Sequence, residues 1–103
     1  MKVMEKDGSI INVFGIYWHN HNNETYFSGF DKNHEALNAF RCSEVEVIDP
    51  KMDFKTVFLT NHMSGIFHWA LIELELLDGV IEYDAVAVEK FKQILKSEQL
   101  LID

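Results

Sequence analysis

The chain has 103 residues, of which 48% are hydrophobic, 13% aromatic and 25% charged, and its formal net charge is −8 at pH 7. This composition excludes a disordered polymer, because so many aromatic residues supply more apolar surface than a solvated chain tolerates, and the length fits one domain. The longest stretch without Asp, Glu, Lys or Arg runs from residue 56 to 72 and contains polar side chains, so it falls short of the about 20 apolar residues that a membrane span needs.

The first half of the chain predicts a hairpin, a helix and a further strand. Residues 9–18 are rich in β-branched and aromatic types, and residues 24–30 repeat that pattern after the polar HNHNN sequence, which favours two strands joined by a turn. Residues 33–42 place apolar side chains at helical spacing, so we expect a short helix there. Residues 43–49 alternate acidic and apolar side chains and predict a strand that Pro50 ends.

The second half predicts another hairpin and a clear C-terminal helix. Residues 54–60 and 66–72 form the hairpin, around a polar loop at 61–65. Residues 73–83 fit a strand, through the alternation of IELEL and a turn at Asp78-Gly79, about as well as a helix face. The last helix is capped by Asp84 and places four apolar side chains on one face: Val88, Phe91, Ile94 and Leu95.

Together these elements predict one α+β domain over residues 1–103, with an antiparallel sheet packed against the C-terminal helix. Cys42 is the single cysteine, so an intrachain disulfide is excluded, and we expect its side chain to be a small buried apolar group. The first residues begin no apolar signal region, because Glu5 and Asp7 interrupt it. The expected location is therefore cytoplasmic.

Two pairs of histidines are candidates for chemistry. His19 and His21 lie two residues apart, a spacing that directs both imidazoles to one face of a strand, with Glu24 nearby. The stretch from Gly15 to Gly29 resembles the first metal-binding motif of the cupins, although its spacings differ and the second motif has no counterpart. That resemblance implies a small metal-binding enzyme or ligand-binding protein using His19, His21 and Glu24, and the alternative is a polar hairpin loop.

His62 and His68 lie across the second predicted hairpin, and neither has a catalytic partner at a recognisable spacing. His68 stands beside Trp69 in an apolar stretch, which favours a hydrogen-bonded structural histidine. The five glycines are too dispersed to form a phosphate-binding loop. The sequence therefore predicts no catalytic residues and no cofactor.

The acidic residues are the most informative feature of the sequence. No Lys or Arg occurs between Lys55 and Lys90, whereas five acids fall within twelve residues of that interval, interleaved with apolar side chains and Tyr83: Glu73, Glu75, Asp78, Glu82 and Asp84. Like charges at this density repel one another. The cluster is either a solvated face or a docking surface for a cationic partner. Tyr83 or an exposed Trp is the expected apolar anchor of such a surface.

The negative charge argues against nucleic acid and against an anionic membrane surface, and it favours a basic protein partner. In size and acidity the whole chain resembles the small immunity proteins that bacteria make alongside secreted toxins, including those of contact-dependent growth inhibition systems. That resemblance implies an inhibitor that binds one cognate basic toxin, commonly a nuclease, through carboxylates that occupy the place of substrate phosphates. The oligomeric state is left open, because an alternating edge strand can pair with its own copy.

Overall fold

A computed structural model describes residues 1–19, 21, 23–30, 36–60 and 63–101. Within these ranges it contains seven strands: β1 Lys2–Glu5, β2 Ile10–Trp18, β3 Thr25–Phe30, β4 Leu37–Arg41, β5 Val45–Asp49, β6 Thr56–Thr60 and β7 Ser64–His68. A short 3-10 helix, Cys42–Glu44, precedes β5, and three α-helices follow β7: α1 Trp69–Glu73, α2 Leu77–Ile81 and α3 Ala85–Ser97.

The strands form one antiparallel sheet that forks at β2. Strand β3 pairs along most of one edge of β2, and β4 lies outside β3. The other edge of β2 is shared, because residues 10–12 pair with β1 and residues 15–18 pair with β7. Strand β5 then lies outside β1, and β6 lies outside β7. The register shift between Val13 and Gly15 leaves Phe14 as an extra residue, and such a bulge bends a strand.

The helices cover one face of the sheet, which we call the inner face. Phe14, Phe30 and Phe67 from the strands pack there against Phe91 and Leu95 of α3. Phe14 and Phe91 meet edge to face, with ring centroids 5.7 Å apart. Gly15 is required beneath this cluster, because a Cβ atom on it would clash with Cδ1 of Phe67. The ring of Phe67 thus occupies the space that a side chain at position 15 would need.

The opposite, outer face of the sheet carries a second and smaller cluster. Val3, Ile11, Val13 and Phe27 are buried there, with Ile16 packed against them. The bulge at Phe14 changes which side of β2 successive residues face, so Ile16 lies on the same face as Ile11 and Val13 although it is an odd number of residues away from them. The sheet is therefore buried on both faces near its centre, while only the inner face is covered by helices.

The predicted α+β domain is confirmed: a seven-stranded antiparallel sheet has the C-terminal helices packed against it in one compact unit. The first hairpin is present as β2 and β3, and Asp84 caps α3 as expected, accepting the Val86 N–H at 3.0 Å. The four apolar residues predicted for α3 face the core cluster. Val88, Phe91 and Leu95 are buried there, and Ile94 is half-buried. In the described ranges, no helix is long and apolar enough to cross a membrane.

Three expectations from the sequence are wrong. The helix predicted at 33–42 is strand β4 over residues 37–41, while residues 33–35 lie outside the described ranges. Strand pairing to β3 prevails there, because it buries Leu37 opposite Phe30. The strand predicted at 66–72 ends at His68, whose side chain caps α1. Cys42 is exposed, since it begins the 3-10 helix at the sheet edge instead of facing a core.

Candidate functional site

Residues 73–83, ambiguous in sequence, form no strand: α2 covers their centre, and short connections join it to α1 and α3. Glu73 ends α1, Asp78 lies in the first turn of α2, and Asp84 caps α3. Gly79 therefore lies inside a helix and does not form the turn of a hairpin. A Cβ atom on it would lie 2.7 Å from Cβ of Ala87, so the glycine allows α2 to approach α3 closely.

This packing brings several of the predicted partner-binding acids together. Asp78 and Glu82 are four residues apart around α2, which places them on one helix face. The close approach of α2 and α3 adds Asp84, whose Oδ2 lies 3.7 Å from the Cβ position at Gly79. Each of these three acidic residues is exposed. Asp84 also has a structural role, because its carboxylate caps α3 by accepting the N–H groups of Val86 and Ala87.

Glu73 differs from the other acids of this segment. Its Oε1 lies 3.2 Å from Nζ of Lys55, which precedes β6, so a cation of the same chain neutralises it. Glu75, Asp78 and Glu82 have no ion pair with any residue that the structure describes. The negative field of the segment therefore comes chiefly from these three carboxylates and Asp84.

Exposed apolar side chains stand among these acids. Tyr83 is 62% exposed and Val86 is 77% exposed, and Leu74 and Ile81 are also exposed. The sequence predicts Tyr83 as an anchor. Leu74 and Ile81 also fit a buried helix face by their spacing, and Val86 lies outside the apolar stripe predicted for α3. Apolar anchors surrounded by charged residues are typical of protein-binding surfaces. We call this set the acidic helix surface: Leu74, Glu75, Asp78, Ile81, Glu82, Tyr83, Asp84 and Val86.

Two residues of the acidic helix surface hold a backbone conformation that favours glycine. Glu75 and Tyr83 follow α1 and α2 with φ angles of 55° and 66°, and Gln99 follows α3 with φ of 60°. After each of them, the next residue donates its N–H to the carbonyl five positions earlier: Leu76 to Leu71, Asp84 to Gly79 and Leu100 to Leu95. This is the Schellman motif, in which glycine usually takes the left-handed position. A side chain there costs about 1–2 kcal/mol.

The histidines predicted as alternative metal ligands lie beside two tyrosines. The ring centroids of His19 and His21 are 5.6 Å apart, and the His19 ring lies 5.8 Å from those of Tyr17 and Tyr26. Glu24, the third predicted ligand, instead accepts a hydrogen bond from Oγ of Ser43 at 3.1 Å. The described part of the chain contains no group of three side chains arranged to hold a metal ion. The neighbouring Asn20 and Asn22 lie outside it.

His68 is a structural histidine, as the sequence predicts, while His62 lies outside the described residues. The His68 side chain is fully buried, and its Nδ1 accepts the N–H of Ala70 at 3.1 Å. The proton must then be on Nε2, which donates to Oε1 of Glu98 at 2.6 Å. Oε2 of the same carboxylate accepts the indole N–H of Trp69 at 2.8 Å. Glu98 thus ties the end of α3 to the junction between β7 and α1.

This arrangement predicts that the protein loses stability in mild acid. Burial lowers the pKa of His68, an effect that its hydrogen bond to Glu98 and the charge of that carboxylate oppose. As pH falls below about 6.5, the unfolded chain therefore binds this proton before the folded chain does. Above that pH, the contribution of neutral His68 to the free energy of unfolding is complete. As the pH falls towards the pKa of His68 in the folded protein, this contribution is lost, by no more than about 1.4 kcal/mol per pH unit.

Urea unfolding of the wild type and of His68→Gln, at about pH 7.5 and about pH 5.5, measures this effect on either side of the ordinary histidine pKa. The variant keeps every other titratable group of the chain. A difference between the two proteins in how the free energy of unfolding changes with pH is therefore due to His68. We expect the wild type to lose more free energy of unfolding on acidification than the variant does. Equal losses would contradict the assignment.

Comparisons of the chain with protein-family models, with curated proteins and with solved structures find no match.

Proposed function

We propose that this protein is an inhibitor that binds and neutralises a basic protein through the acidic helix surface. The observation that carries the proposal is the combination of exposed carboxylates and exposed apolar side chains on α2, on the short connections that flank it and on the first turn of α3. A solvated face needs the charges but gains nothing from exposing Tyr83 and Val86. A docking surface uses both, because the carboxylates steer a cationic partner and the apolar groups lose their water on contact.

The chemistry of the surface fits a partner whose own site binds phosphates. Glu75, Asp78 and Glu82 are free of ion pairs within the described chain, so their charge is available to lysines and arginines of another protein. Carboxylates set in that way can replace the phosphates of a nucleic acid in a cationic cleft. A nuclease toxin with this chain as its immunity protein is the partner class that the charge favours, in agreement with the type of protein that the sequence resembles.

The strained backbone at Tyr83 gives a test that separates folding from binding. Replacing Tyr83 with glycine relieves the left-handed strain, so we expect the free energy of unfolding to rise by up to about 1 kcal/mol. The same change removes the aromatic anchor, so binding to the basic partner should weaken about tenfold or more. The variant should therefore be more stable and less active as an inhibitor.

Gln99→Gly is the matched control, because Gln99 holds the same position after α3 and lies outside the acidic helix surface. We expect it to raise stability to a similar extent and to leave binding unchanged. The probe is the purified product of the adjacent open reading frame, with affinity measured by calorimetry and stability by urea unfolding. Unchanged affinity of Tyr83→Gly would remove Tyr83 from the site, and a neighbouring product that is basic but does not bind would contradict the proposed function.

A further inference from the structure

Among the described strands, three form edges of the sheet, and they differ in charge. Strand β5 carries Glu46 and Asp49, and β4 carries Arg41. Strand β6, with the sequence Thr-Val-Phe-Leu-Thr, has neither a charged residue nor a proline, and it pairs with β7 along one side only. Proteins normally protect edge strands with charges, prolines or bulges, because an open edge is a template for another strand. Within the part of the chain that the structure describes, strand β6 has none of these three protections.

The outer face of the sheet ends at this edge with exposed apolar side chains. One row of paired residues crosses five strands, from Phe40 on β4 through Phe27, Ile16 and Ile66 to Phe58 on β6. Exposure increases from Phe27, which is buried, through the half-buried Ile16 to Ile66 at 37% and Phe58 at 59%. Ile66 and Phe58 are therefore the uncovered end of this apolar row.

We propose that two copies of this chain associate by antiparallel pairing of their β6 strands about a two-fold axis at Phe58. The strand is nearly symmetric about its centre, so this pairing places Thr56 opposite Thr60, Val57 opposite Leu59, and Phe58 opposite Phe58 of the partner copy. Pairs of threonines, of aliphatic residues and of aromatic residues each stabilise neighbouring strands. The apolar row then continues from one copy into the other.

The absence of acidic residues on β6 favours a second copy over the basic partner of the acidic helix surface as the occupant of this edge. Each copy carries a net charge of −8, so two copies can approach closely only where acidic residues are absent. Strand β6 provides such a place, and the nearest cation, Lys55, is already paired with Glu73 of its own chain. The helices pack on the inner face, and the exposed end of the apolar row is on the outer face. This inference stands independently of the proposed function.

The first test compares two substitutions, each of which replaces an exposed apolar side chain with lysine and so changes the charge by the same amount. Phe58→Lys places two like charges opposite each other in the proposed dimer, so we expect its dissociation constant to rise about tenfold or more. Ile48→Lys, at a 45% exposed position on the β5 edge, is the control and should dimerise as the wild type does. Sedimentation velocity over a range of concentrations measures both. A wild type that stays monomeric, or a dimer unaffected by Phe58→Lys, would overturn the proposal.

The second test uses disulfide formation to determine which residues of the two β6 strands lie opposite each other. All variants carry Cys42→Ser, which removes the exposed native thiol. Directly opposed residues of antiparallel strands have Cα atoms about 4.5–5.5 Å apart, a separation that a disulfide spans. We expect Phe58→Cys to form a covalent dimer under mild oxidation. Thr56→Cys and Thr60→Cys should each cross-link poorly alone and efficiently when mixed. Equal cross-linking by Ile48→Cys, or failure of the mixed pair, would contradict the pairing.

Discussion

Replacing Glu98 with alanine is expected to lower the free energy of unfolding by about 2–3 kcal/mol. The carboxylate accepts two hydrogen bonds, from Nε2 of His68 at 2.6 Å and from Nε1 of Trp69 at 2.8 Å. His68 is fully buried, so without Glu98 its N–H group has no water to replace the lost acceptor. A buried donor left without a partner costs about 1–3 kcal/mol, and hydrogen bonds to a charged group are stronger than neutral ones.

Urea unfolding at neutral pH measures this loss. Glu89→Ala is the matched control, because Glu89 is an exposed carboxylate of α3 that accepts a hydrogen bond from Gln93 on the same helix. The control should change stability by no more than about 0.5 kcal/mol. Glu98→Gln retains one acceptor oxygen, so its free energy of unfolding should lie between those of Glu98→Ala and the wild type. If Glu98→Ala were no less stable than the control, the contacts of His68 and Trp69 would not hold α3 as described.

The sequence predicts those elements of the fold whose local pattern and tertiary pairing agree. Strand β2 and helix α3 follow from β-branched content and from a capped apolar face, and both are present. The region of β4 fails, because Leu37 and Phe40 fit a helix by spacing, whereas pairing with β3 buries Leu37 and half-buries Phe40. That pairing depends on residues distant in the sequence. Local periodicity carries no information about it.

The acidic helix surface was predictable in its charges and not in its shape. The absence of Lys and Arg between Lys55 and Lys90 is visible in the sequence. The ion pair of Glu73 with Lys55 cannot be seen in the sequence, because it joins the end of α1 to the residue before β6. The left-handed backbone of Glu75 and Tyr83 was also hidden, since neither is the glycine that such positions usually signal. Anchors such as Val86 become visible only when the packed face of each helix is known.

Reversing three acids of the acidic helix surface is expected to abolish most of the affinity for the basic partner that we propose. The variant carries Lys at Glu75, Asp78 and Glu82, the three that have no ion pair within the described chain. Glu73 and Asp84 stay unchanged, because they pair with Lys55 and cap α3. Placing cations against a cationic surface costs several kcal/mol, so we expect a loss of about 100-fold or more.

The control reverses three exposed acids outside the acidic helix surface, Glu44, Glu46 and Asp53, and alters the net charge by the same amount. Of these three, Glu44 has an ion pair, with Arg41 at 3.8 Å. If long-range attraction by total charge were the whole effect, both variants would weaken binding equally, and the assignment of the site would be wrong. If the acidic helix surface is the contact, only the first variant loses tight binding. Wild-type association should also slow as salt rises. Stopped-flow association rates with the product of the adjacent open reading frame, for all three proteins at several salt concentrations, distinguish these outcomes.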